Sequence, residues 1–278
     1  VRSCSPFIQG IVPPAQRVGA ALEKPLQAYT DAWGLSDVQA AASEAALNFL
    51  RDYKGTKDLG NRFLIWAVTG AGKTEMIFPM IEYTSALGGK VAVVTPRRDV
   101  VLELKPRLEK VFPHLSVVTL YGGSTQRSED GQLTLATTHQ MLRFRQAFDL
   151  IIVDEIDAYP YHNNPMLLYA VDRACKQEGA FILLSATPPE PVRKQAERGL
   201  LPHVRVPARY HRNPLPVPKL IRTASLRKQL SAKALAPSLQ SAITRSLERG
   251  AQVFVFVPNI LSVAPTVELL RQALPQYG

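Results

Sequence analysis

Thr69-Gly70-Ala71-Gly72-Lys73-Thr74-Glu75 places two glycines, a lysine and a hydroxyl at the spacing a polyphosphate needs. Glycines let the backbone curl so that successive amides point at phosphate oxygens. Lys73 then reaches the outer phosphates and Thr74 is a magnesium ligand, so Thr69, Gly70, Ala71, Gly72, Lys73, Thr74 and Glu75 are candidate nucleotide-binding residues. The competing reading is a chance glycine-rich turn, which the flanking strand and helix patterns disfavour. A second stretch, Ile151-Ile152-Val153-Asp154-Glu155-Ile156-Asp157, delivers adjacent carboxylates at the end of an apolar run. Asp154 suits magnesium, and Glu155 suits orienting and deprotonating an attacking water, so Glu155 and Lys73 are the candidate catalytic residues. Without a phosphate loop, the same acids would read equally well as caps of a first helical turn. A third stretch, Ser185-Ala186-Thr187, follows another apolar run and by itself is only a strand-to-helix turn.

The elements that must position these residues are legible as alternating patterns. Strands are expected at Phe63–Val68, Val91–Thr95, Val117–Leu120, Leu133–Ala136, Leu150–Val153 and Phe181–Ser185. Helical patterns fall near Thr74–Leu87, Asp99–Val111, Gln140–Gln146 and Pro165–Lys176, after a first apolar stripe that begins past Ser36. Several strands are apolar throughout instead of alternating, as a parallel sheet covered on both faces requires. The fold class is therefore α/β, doubly wound around a mostly parallel sheet. Residues 1–34, punctuated by proline and glycine, read as a lead-in, and 35–206 as the nucleotide-binding domain. The four prolines within 207–218 read as an extended linker. Residues 219–278, with a strand expected at Val253–Val257, read as the start of a second α/β domain.

The chain has 278 residues, is 46% hydrophobic and carries a formal charge of +10, with a pI near 9.7. Such a balance favours a polyanionic partner. Basic residues recur in groups: Arg97-Arg98, Arg143 with Arg145, Arg193-Lys194, Arg205 with Arg209 and Arg212, and Arg227-Lys228. Any single group is an ordinary solvated surface; taken with the phosphate loop they point to nucleic acid. No apolar run reaches membrane-spanning length and no signal-peptide pattern is present, so direct membrane insertion is not expected. Cys4 and Cys175 are far apart, which suggests a reducing compartment.

The phosphate loop, Asp-Glu-x-Asp and Ser-Ala-Thr, in this order, resemble motifs I, II and III of superfamily 2 helicases. Thr95-Pro96-Arg97-Arg98 resembles motif Ia. Tyr121-Gly122-Gly123 and Thr137-Thr138-His139-Gln140 resemble the Ib region. The resemblance implies RecA-like domains, with Pro96, Arg97, Arg98, Gly122, Gly123, Thr137 and Thr138 along the nucleic-acid track. It also implies that Ser185 and Thr187 couple nucleotide state to that track. Such hydroxyls, arginines and glycine amides bind phosphate without reading bases. From about residue 36 onward the wording resembles the ComFA family of late-competence DEAD/DEAH-type helicases. The resemblance rests on Ile65–Met76, Asp99–Leu104, Val153–Pro160, Leu184–Pro189 and Pro207-Ala208-Arg209-Tyr210-His211-Arg212. It implies ATP and Mg2+ as cofactors and single-stranded DNA as partner. It further implies a ComFC-like competence protein, a membrane DNA channel, and a cytoplasmic place, free or peripheral at the inner face of the membrane. A replication-restart helicase of the PriA type stands as the alternative.

Two departures shape these expectations. The family's four-cysteine zinc site could retain only Cys4, so no zinc is expected. The 278 residues contain no Gln-x-x-Gly-Arg-x-x-Arg motif, so the chain is expected to be a fragment that binds ATP and DNA but turns over slowly. Gln39 carries two readings: Leu35–Gln39 resembles the segment that reads adenine, and Ser36 with Gln39 also forms a capping box.

Overall fold

A computed structural model describes residues 8–9, 24–53, 59–124, 131–211 and 217–277. The chain divides into two compact units, Val1–Leu215 and Pro216–Gly278. In the first unit a two-residue ladder pairs β1 Ile8–Gln9 with β6 Phe144–Arg145. The remaining strands are β2 Arg62–Ala67, β3 Val91–Thr95, β4 Val117–Leu120, β5 Leu133–Thr137, β7 Phe148–Val153, β8 Cys175–Ser185 and β9 His203–Val206. These seven form an all-parallel sheet in the order β4-β5-β3-β7-β8-β2-β9.

The strand period of two sends alternate residues to opposite faces. Phe63, Ile65, Val91, Val93, Ile152, Ile182 and Leu184 face one apolar layer, closed by α1 Leu26–Asp31, α2 Asp37–Asp52, α3 Lys73–Met76, α4 Phe78–Ala86 and α5 Arg98–Val111. Leu64, Ala92, Val94, Ile151, Val153, Phe181 and Leu183 face the other, closed by α6 Pro165–Ala174 and α7 Glu190–Glu197. Burial on both faces explains why these strands read as continuous apolar runs. The all-parallel pairing places every strand end that carries a motif on one edge of the sheet, where open α/β folds bind ligands.

The expected helix Thr74–Leu87 is two helices, α3 and α4, divided at Ile77. Pro79 has no N–H to give the preceding turn, which breaks the ladder there. The helical pattern at Gln140–Gln146 is instead a 3-10 turn, Thr138–Arg143, leading into β6. The lead-in also holds more order than its prolines and glycines suggest, because α1 seats Tyr29 in the core. Strand β9 and helix α7 form within stretches where no element was expected.

The second unit, by itself, packs α8 Leu226–Ala232, α9 Pro237–Glu248 and α10 Val263–Ala273 around Leu235, Ile243, Leu269 and Leu274. The strand expected at Val253–Val257 is absent, and Phe254 and Phe256 are exposed. A strand exists only with a partner for its backbone groups, and among the described residues this unit contains no other strand.

Candidate functional site

Strand β2 ends at Ala67 and the phosphate loop begins. Gly70 and Gly72 take φ of +80° and +77°, the left-handed region that a side chain resists. Helix α2 holds the loop from below. Gln39 Nε2 donates to the Ala71 carbonyl at 3.0 Å, and Ser43 Oγ donates to the Met76 carbonyl at 2.9 Å. Gln39 Oε1 accepts from Ser36 N and Oγ at 2.9 and 3.0 Å, so the capping box forms. The Gln39 carboxamide, buried, thus spans helix cap and phosphate loop, with one N–H left over. Lys73 Nζ reaches the Ala67 carbonyl at 3.4 Å, and Glu75 pairs with Arg107 of α5.

Strand β7 delivers the acids beside this loop. The Asp154 N–H donates to the Val94 carbonyl at 2.8 Å, and its Oδ1 accepts from the Glu155 N–H at 2.9 Å. Burial pushes the Asp154 carboxyl up to about 6, against the pull of the Lys73 charge and of the Glu155 N–H. Glu155 holds φ at +54°, a strained position for a residue with a side chain, costing about 1–3 kcal/mol. Its Oε2 is buried and has no hydrogen-bond partner among the described residues. A helix cap would spend its carboxylate oxygens on backbone N–H groups, whereas this Oε2 is left without a donor among the described residues.

The third stretch joins the second. Asp157 accepts from Ser185 Oγ at 2.6 Å and from Thr187 Oγ1 at 2.7 Å, and Ser185 Oγ accepts from the Thr187 N–H at 2.9 Å. Burial works to raise the Asp157 carboxyl, yet these hydroxyl donors bring it below the ordinary carboxylate value.

A cavity of about 730 Å³ opens over the loop, bordered by Thr69, Lys73, Thr74, Asp154 and Glu155, with Trp33, Leu35 and Gln39 at one end. Its size and mixed lining suit a nucleotide. Residues outside the phosphate loop and the acidic strand end also border it: Val100, Glu103, Leu104 and Arg107 from α5, and Tyr210 and His211 from the segment after β9. The α5 residues share one helical face, a periodicity visible in the sequence but indistinguishable there from a core stripe. Magnesium fits Thr74 and Asp154 by chemistry: both supply oxygen, the donor a hard cation prefers, and burial leaves the Asp154 charge in need of a counterion.

Arg97, Arg98, Gly122 and Gly123 are exposed at the ends of β3 and β4, and the Arg98 guanidinium lies 4.9 Å from the centre of the Tyr121 ring. Arg97 is paired with Asp99. Pro96, Thr137 and Thr138 differ from the expectation. All three are buried, Thr137 as the last paired residue of β5 opposite Thr95, and Thr138 Oγ1 is fully enclosed. Their side chains do not reach a surface track; only backbone groups at these positions could. Cys4 and Arg212 lie outside the described residues. Among the described residues no helix is long and apolar enough to cross a membrane.

The family described as "Type III restriction enzyme, res subunit" matches residues 33–190. Competence protein ComFA of Bacillus subtilis is 44% identical over 197 residues, 71% of this chain and 42% of that protein. Competence protein ComFA of Streptococcus pneumoniae is 37% identical over 241 residues, 87% of this chain and 54% of that protein. This chain thus spans about half the length of the relatives it matches. Among solved structures, a hypothetical ATP-dependent RNA helicase from Sulfolobus tokodaii is similar over 65% of this chain and 56% of its own, at a TM-score of 0.48 and 21% identity.

Proposed function

Since the chain belongs to the family of the type III restriction enzyme res subunit, as a superfamily 2 member of ComFA type, we propose that it is the ATP-driven part of a single-stranded DNA translocase in bacterial DNA uptake. The observation that carries the ATPase reading is Glu155, held in a strained backbone with a bare carboxylate oxygen beside Asp154 and the phosphate loop. ATP is the substrate. Thr69–Thr74 cradle its phosphates, Lys73 neutralises the outer ones, Thr74 and Asp154 hold magnesium, and Glu155 takes a proton from the attacking water. Bound magnesium would neutralise charge that develops on the phosphates during transfer. The Gln39 amide ties helix α2 to the loop, and its remaining N–H is the proposed donor to the base.

Asp157, Ser185 and Thr187 tie the acid-bearing strand to the start of the segment after β8, the route by which nucleotide state reaches DNA. Arg98 and the Gly122-Gly123 amides are the proposed backbone contacts to a single strand. Residues 219–278 are proposed to open a second RecA-like domain. A ComFC-like partner, a membrane channel and a peripheral position at the inner membrane face belong to this proposal and rest on the family resemblance of the sequence alone.

The test is steady-state ATP hydrolysis by this chain and by the longer protein, with single-stranded DNA, duplex DNA or RNA added. Stimulation by single-stranded DNA is expected, with the longer protein about 10³–10⁵ faster if its Gln-x-x-Gly-Arg-x-x-Arg motif supplies an arginine that stabilises charge on the phosphate in transfer. Equal rates in both would refute the fragment reading, and indifference to DNA would refute the translocase.

A further inference from the structure

The string Pro207-Ala208-Arg209-Tyr210-His211 lies outside the phosphate loop, the acidic strand end and the Ser-Ala-Thr turn, yet it folds back over the phosphate loop. Val68 N donates to the Val206 carbonyl at 3.1 Å, and Tyr210 N donates to the Gly70 carbonyl at 3.0 Å. Between those two bonds the strap lays the Arg209 side chain on the loop. A Cβ built at Gly70 would stand 3.0 Å from Arg209 Nε and 3.4 Å from its Nη2. Tyr210 and His211 then border the nucleotide cavity itself.

Arg209 is half-buried and makes no ion pair or hydrogen bond among the described residues. Its neighbours on the same edge are satisfied otherwise: Arg205 lies 4.2 Å from the centre of the Trp66 ring and 3.8 Å from Glu197, and Arg97 is paired with Asp99. A guanidinium partly withdrawn from water with no anion beside it has lost hydration without return. Its planar fork of donors matches two oxygens of a phosphate.

We propose that Arg209 is a phosphate-binding residue, supplied in cis by the strap after β9, whose guanidinium contacts phosphate oxygens of a nucleoside triphosphate seated on the Gly70 loop. This rests on the nucleotide site of the proposed function.

The experiment is equilibrium binding of fluorescent ATP and ADP to Arg209→Gln, Arg209→Lys and Lys73→Ala, with thermal unfolding measured without nucleotide. Arg209→Gln is expected to weaken ATP binding about ten- to a hundredfold, the usual worth of a charge-assisted bond, at an unchanged unfolding temperature. Arg209→Lys should recover part of it, since a point charge replaces the fork. Loss on ATP alone places the guanidinium at the terminal phosphate and loss on both nucleotides at the inner ones; either supports the proposal. Wild-type affinity for both nucleotides in folded Arg209→Gln overturns it. Should that variant unfold earlier, Arg209→Met, which keeps the aliphatic stem over Gly70, takes its place: weakened binding supports the proposal and wild-type affinity overturns it. Undiminished binding by Lys73→Ala would instead remove the nucleotide site itself, a separate failure.

Discussion

At Gly72 the backbone sits at φ +77°, and a Cβ there would stand 2.2 Å from Gln39 Nε2. Gly72→Ala therefore combines backbone strain with a collision against a buried amide that is itself bonded to Ala71. It is expected to destabilise the protein by about 1–3 kcal/mol and to abolish detectable ATP binding by titration. Removing the obstructing amide as well, in Gly72→Ala with Gln39→Ala, should give a loss smaller than the sum of the single losses, since residues in contact couple. Additive losses would place the damage elsewhere. Cys175 offers a second check. Burial pushes its thiol up to about 12, so at pH 8 the thiolate is scarce and enclosed. Iodoacetamide should leave the Cys175 peptide unmodified in native protein and label it in urea, as read by mass spectrometry. Rapid native labelling would contradict the packing around α6 and β8.

At the scale of elements, β7 and β8 are joined at their ends by Asp157, Ser185 and Thr187. Because the folded Asp157 carboxyl lies below its ordinary value of 3.8, its contribution to stability is complete above that pH and fades as pH falls below it. The difference in unfolding temperature between wild type and Asp157→Asn should therefore be full at pH 7 and close below about pH 4. A gap independent of pH would show that the hydroxyl bonds do not favour the ionised form. Most of these elements were legible in the sequence, because a strand covered on both faces must be apolar throughout and a phosphate loop must follow one. The local breaks were not. Pro79 divides a helix whose apolar pattern is continuous. Val253–Val257 has a strand's composition but no partner among the described residues, and pairing is not a local property. Thr137 and Thr138 look like phosphate donors by type, while burial, which depends on distant packing, withdraws them. Glu155 was legible by position, and its strain only by structure.

For the whole molecule, a charge of +10 gives the basis for a salt-dependent affinity. Single-stranded DNA binding should fall steeply with salt and show little base preference. Arg98→Ala should reduce the slope of log affinity on log salt by roughly 0.7, one phosphate contact. A slope unchanged by this variant would move the track away from the ends of β3 and β4. The string Pro207–His211 stood out in the sequence only as part of a resemblance and Arg209 only as one of a basic group; their place beside the phosphate loop emerges only when β9 pairs beside β2 and returns the chain to Gly70.

Lys73, Asp154 and Glu155 are proposed to form an ATP-hydrolysing site, and Glu155→Gln is the decisive variant. Measured side by side, ATP affinity should be retained in this variant while the hydrolysis rate falls about 10²–10⁴-fold, and Lys73→Ala should lose the affinity itself. Hydrolysis by Glu155→Gln at the wild-type rate would contradict the account.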